Sequence, residues 1–262
     1  MTCCRTAPTV WLTALIICLM GALPVAAGQS PAQLLVTVLD ADGTPVAGLT
    51  PEDFTLRLDV TEREVVSVEP MGPTVQVVAI FEGLAATQRQ TSAAITSFIA
   101  SLADDSVVDM QSVDGKLHPA VDDLHARGAS RPVIVMLGQA TEIVPSELQS
   151  SQVRGKRQAA DLSGDLAELS RLLAQHGILF YGVSVTEVSL ANLRALAAGT
   201  SGRFEVIPAA AGLGDTLTGI GRELGTQYLV SYTSGPATGT LPLLEVTRPG
   251  LTVRAAPFGP TH

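Results

Sequence analysis

Beyond residue 18 the sequence contains no cysteine. Its three, Cys3, Cys4 and Cys18, all lie in the first segment. That excludes a disulfide framework, a thiolate nucleophile and a Cys-ligated metal from the rest of the chain, so stability has to come from the core. Lysine is nearly absent, with only Lys116 and Lys156. Charged residues make up 16% of the chain and lean acidic, with 25 Asp+Glu against 16 Lys+Arg. No nucleic-acid partner is expected from that balance, because phosphate binding needs a basic surface.

Signatures of catalysis and cofactor binding are missing too. There is neither Walker-A spacing nor Gly-x-Gly-x-x-Gly after a strand, and Lys156 in Arg154-Gly155-Lys156 lacks the leading glycine. His118 and His125 are seven positions apart, which is helical repetition and not a zinc motif. Gly182-Val183-Ser184-Val185 begins like a nucleophile elbow, but Thr186 stands where the closing glycine belongs and Ser184 falls inside a strand. The pairs Asp104-Asp105 and Asp122-Asp123 lack the ordered oxygen spacing of a calcium loop and read as solvated surface. No enzyme activity, cofactor or resident metal is expected.

What the chain has is apolar patterning: 46% of its 262 residues are hydrophobic, enough for one α/β core and a small accessory layer. Residues 1–27 read as a signal peptide. Arg5 supplies the basic start, Val10–Ala22 the apolar run, and Val25-Ala26-Ala27 the small residues before cleavage. An uncleaved segment would instead be an anchor, the only membrane association expected. The mature protein is then periplasmic or extracellular.

Residues 28–72 read as β. Gln33–Asp40 alternates with both faces fairly apolar, Asp42-Gly43 gives a turn, and Thr50-Pro51 opens a one-turn helix with Asp53 at the capping-box position. Phe54, Leu56 and Leu58 are the inward residues of the next strand. Pro70–Pro73 marks a boundary. From 73 to 225, apolar strands alternate with helical periods. The strands are Val75–Phe81, Val107–Val113, Pro132–Leu137, Ile178–Val185 and Arg203–Ile207. The first helix carries the stripe Ile95, Phe98, Ile99 and Leu102, the third Leu166, Leu169 and Leu173, and the last Leu213, Leu217, Ile220 and Leu224. Such alternation means a parallel sheet with helices on both faces. Residues 226–262 return to β and are expected to complete one module with the N-terminal strands.

Several ordered runs carry a resemblance: VTVLDADGTPVAGLTPEDFTLRL at Val36–Leu58, LLAQHGILFYGVSV at Leu172–Val185, LRALAAGTSGRFEV at Leu193–Val206, IGRELGTQYLVSYTS at Ile220–Ser234 and EVTRPGLTVRA at Glu245–Ala255. Together they resemble the extracytoplasmic von Willebrand factor A-related proteins of environmental bacteria, notably acidobacteria, across nearly the whole mature chain. The resemblance implies a von Willebrand A-type domain, a Rossmann-like three-layer sandwich, with an appended β module. It also implies a metal-ion-dependent adhesion site built from an Asp-x-Ser-x-Ser loop, a Thr and a further Asp.

This chain departs from that pattern. Glu82 falls at the first Asp, Leu84 and Ala86 at the two serines, and Gly138-Gln139 where Asp-Gly is expected, so few oxygen ligands remain for Mg²⁺. Glu82, Leu84, Ala86, Thr87, Gln139 and Thr141 are therefore candidate contacts for a protein partner at the crest of the sheet, where open α/β folds bind ligands. The expected function is non-catalytic protein–protein interaction. The alternatives are a constitutive scaffold subunit of an envelope complex and an undetected hydrolase. The basic loop Arg154–Arg157 reads as an exposed segment.

Overall fold

The structure is a computed structural model that describes residues 31–81, 88–112, 117–138, 163–185, 191–235 and 242–258. It is an α/β protein with a five-stranded parallel sheet and five helices, the arrangement of a Rossmann-like sandwich. Twelve strands fall into three sheets among the described residues. The N-terminal strands are β1 (Ala32–Leu39), β2 (Phe54–Leu58), β3 (Thr61–Arg63) and β4 (Val65–Pro70). The parallel sheet holds β5 (Gln76–Phe81), β6 (Val107–Ser112), β7 (Pro132–Gly138), β8 (Leu179–Ser184) and β9 (Phe204–Val206), in the order β6-β5-β7-β8-β9. The helices are α1 (Gln88–Ser101), α2 (His118–Ala126), α3 (Ser163–Gln175), α4 (Ala191–Gly199) and α5 (Leu213–Leu224). The chain ends in β10 (Tyr228–Tyr232), β11 (Leu243–Val246) and β12 (Thr252–Pro257).

Each face of the parallel sheet buries its own set of side chains. Val77, Val133, Val135, Tyr181 and Val183 pack beneath α1 and α5, while Val78, Ile80, Ile134, Met136 and Phe180 pack beneath α2, α3 and α4. That two-sided burial is why these strands read as continuous apolar runs, not as alternation. On α5 the stripe Leu213, Leu217, Ile220 and Leu224 is fully buried, and on α3 Leu169 and Leu173 are.

Helix α1 follows its expected stripe at Ile95, Phe98 and Leu102, which pack on the core, and departs from it at Ile99. Phe98 is 1% exposed, but Ile99 is 46% exposed, and the buried line runs through Thr91, Ala94 and Phe98. Helix α1 packs closely on α5. A side chain at Gly221 of α5 would collide with Ser101 of α1, so small residues face this contact.

The chain ends meet in one antiparallel sheet of order β12-β1-β10-β4, faced by β11-β2-β3. Strand β1 is buried on both sides. Leu34, Val36 and Val38 join Phe54, Leu56, Tyr228 and Val230 in the core of this β module, and Leu35 turns the other way into the core beneath α5. A 3-10 turn at Pro51–Asp53 enters β2, and the Asp53 carboxylate accepts the Thr50 backbone N–H at 2.8 Å. The Asp40 carboxylate likewise accepts the N–H groups of Asp42 and Thr44, closing the turn in which Gly43 takes φ +75.

Candidate functional site

The parallel strands end together at Phe81, Gly138 and Ser184, in the register Phe81↔Leu137 and Gly138↔Ser184. This is the crest that the strand–loop–helix order designates for binding. The six candidate contacts Glu82, Leu84, Ala86, Thr87, Gln139 and Thr141 lie outside the described residues, as does the Arg154–Arg157 loop. Ser184, the elbow-like serine, is buried within β8, and its carbonyl accepts the Ile207 N–H at 2.8 Å.

The opposite edge of the sheet holds a buried polar cluster. Glu223, on α5, is 1% exposed. Its carboxylate accepts the Tyr181 hydroxyl of β8 at 2.7 Å. It pairs with Arg254 of β12, and with Arg203 at 3.4 Å; Arg203 in turn pairs with Glu205 at 2.5 Å. Arg254 also donates to the Gly202 carbonyl at 3.1 Å. Beside it, Arg131 donates to the carbonyls of Gly72 and Leu224 and, at 2.7 Å, to the Gln227 amide oxygen. Gln227 hands the network on to Thr37 of β1 at 3.1 Å. Of these contacts, those of Arg254 with Glu223 and the Gly202 carbonyl, and that of Gln227 with Thr37, reach strands of the β module; the others join α5 to the parallel strands or lie beside them. The module is thus fastened to the N-terminal edge of the sheet, opposite the crest.

Burial, and then the adjacent Glu223 carboxylate, push the Tyr181 hydroxyl well above its ordinary value, so it stays a protonated donor. Burial pulls the Arg131 guanidinium down, yet arginine keeps its charge in proteins. The Glu223 carboxylate is held between two guanidinium groups and a phenol, with its Oε2 buried and without a hydrogen bond.

An open cleft of about 340 Å³ lies next to the cluster, lined by Arg194, Ala197, Ser201, Phe204, Arg254 and Ala255 among others. Arg194 sits over the Phe204 ring at 5.8 Å. The Ser201 hydroxyl donates to the Leu35 carbonyl at 3.3 Å, another tie between the two parts of the fold. Among the described residues, no histidine or carboxylate lines this cleft. On the α2–α3 side, the rings of His125 and His176 lie 4.1 Å apart. Burial, and then His125, hold the His176 imidazole below its ordinary value. Among the described residues, no three His, Cys, Asp or Glu side chains converge on a common point that could hold a metal.

The sequence reading did not find the Glu223 cluster. One signal was available: Glu223 lies between Ile220 and Leu224 on the apolar stripe of α5, and a carboxylate on a buried helix face needs a partner. Its partners come from β8, β9 and β12, at separations no local pattern encodes. Compared over its full length, the chain matches no known protein-family description and no characterised protein.

Proposed function

We propose that this is an exported, non-catalytic protein–protein interaction module: a von Willebrand A-type domain that has lost its adhesion metal. The observation carrying this reading is the donor set at the crest. Glu82, Leu84, Ala86 and Gln139 occupy the positions where the resembled family places carboxylate and hydroxyl ligands, and leucine and alanine offer no side-chain oxygen. Magnesium demands near-octahedral oxygen coordination, so this set does not fit it and no binding step is assigned to a metal. The Rossmann-like sandwich supplies the scaffold, and the β module, tied to the opposite edge through Glu223, Arg254 and Arg131, keeps the described part of the chain off the crest. Recognition then rests on shape and apolar contact by Leu84 and Ala86, with Glu82 and Gln139 as polar rim.

The test is crosslinking capture of the tagged protein in its own cell envelope, with the crest double variant Leu84→Asp and Ala86→Asp alongside. A partner captured by the parent, undisturbed by EDTA and lost in the variant, supports the reading. Capture abolished by EDTA, or retained by the variant, overturns it. Export is checked by mass spectrometry of the native protein. The expected N-terminus is Gly28 or Gln29, and an intact Met1 contradicts cleavage.

A further inference from the structure

Strand β6 forms one border of the parallel sheet. Among the described residues it pairs only with β5. The Val107 N–H donates to the Val75 carbonyl at 3.0 Å, so the odd-numbered residues 107, 109 and 111 turn their backbone groups toward β5. By alternation the N–H and C=O groups of Val108, Met110 and Ser112 point away from the sheet, and none has a described partner. Such a row is a template for another strand. Two of its side chains are exposed hydrophobics, Met110 at 59% and Val107 at 52%. Val108 packs on the core beneath α1 and α5, which puts Met110 on that same face, the one that also carries exposed Ile99. The other face is charged: Asp109 pairs with Arg127, just past the end of α2, and the Gln111 amide donates to Asp123 at 3.4 Å.

We propose that this edge pairs with a second copy of the chain, β6 against β6 antiparallel about a two-fold axis at Met110. The occupant follows from register and charge. A two-fold axis perpendicular to the sheet pairs residues of the same face. Centred on Asp109, it would set two carboxylates directly opposite each other, which is unfavourable. Centred on Met110, it sets Met110 against the partner's Met110, Val108 against the partner's Ser112, and Asp109 against the partner's Gln111. All outward backbone groups of residues 108, 110 and 112 then meet in hydrogen-bonded pairs, the two Met110 side chains meet on one face, and each carboxylate faces an amide on the other. The contact is isologous and closes at two copies, and it joins two five-stranded sheets into one. It is independent of the crest, and its failure would leave the crest reading untouched.

The test is sedimentation velocity of the purified protein from low to high micromolar concentration, with two variants. Met110→Pro deletes one outward N–H and leaves the ladder to β5 intact, a position where an edge strand accepts proline. Met110→Lys puts two like charges on the axis. The expected result is a concentration-dependent dimer for the parent and, for both variants, dimerisation weakened roughly tenfold or more with unchanged circular dichroism. A parent that stays monomeric throughout, or a Met110→Lys protein that dimerises like the parent, overturns the proposal even if the proline variant fails to fold.

Discussion

Replacing Glu223 with glutamine leaves Arg203 and Arg254 facing a neutral amide in the interior. Removing one partner of a buried ion pair commonly costs about 3–5 kcal/mol, because the remaining charge is stranded. Urea denaturation of Glu223→Gln is therefore expected to show a loss of unfolding free energy of that order, and a variant as stable as the parent would contradict the joining role assigned to Glu223. A second residue-scale prediction concerns acid stability. The Arg248 guanidinium, bonding both Asp53 oxygens at 2.6 and 2.7 Å, holds that carboxyl below its ordinary value, helped by the Thr50 backbone N–H. A carboxyl depressed in the folded state stabilises the protein above its unfolded pKa of about 3.9, and the contribution is lost as pH falls through the lower folded value. Arg248→Ala should flatten this part of the acid limb of a stability–pH curve below about pH 4, with little change in its shape near neutrality. An acid limb identical to that of the parent would contradict the pairing.

At the scale of elements, α1 separates two readings of one helix. Truncating buried Phe98 to alanine is expected to cost about 3–5 kcal/mol. Changing exposed Ile99 to serine should stay within about 0.5 kcal/mol. Equal losses in chemical denaturation would mean the helix is seated on the stripe drawn from periodicity and not as described. The same helix shows what sequence can carry. Periodicity located α1 and three of its four stripe residues, Ile95, Phe98 and Leu102, which pack on the core; Ile99 stays exposed, while Thr91 and Ala94, too small or polar to stand out in a stripe, are buried. By contrast, α5 has a single strong stripe, and all four of its residues are buried. The parallel strands were legible because burial on both faces leaves long apolar runs. Strand β1 gave an ambiguous pattern for a physical reason: it serves the module core with Leu34 and Val36 and the α/β core with Leu35. The crest could be located from strand–loop–helix order alone.

At the scale of the molecule, the two ends of the chain are tied to one edge of the parallel sheet. Leu35 enters the core beneath α5, Gln227 bridges Thr37 and Arg131, and Arg254 reaches Glu223. A β module held by interior contacts of this kind should unfold together with the sandwich. A single transition by both near-ultraviolet and far-ultraviolet circular dichroism is expected, and two resolved steps would contradict it.

A crest that recognises its partner without a metal has a calorimetric signature. A ligand that binds only the folded state stabilises it by RT ln(1 + [L]/Kd), about 2.7 kcal/mol at a hundredfold excess over Kd. Melting of the metal-stripped protein is predicted to give the same Tm with and without millimolar Mg²⁺ or Mn²⁺. A saturable rise of several degrees with either ion, abolished in Glu82→Ala, would show that the crest still binds a cation and would contradict the account.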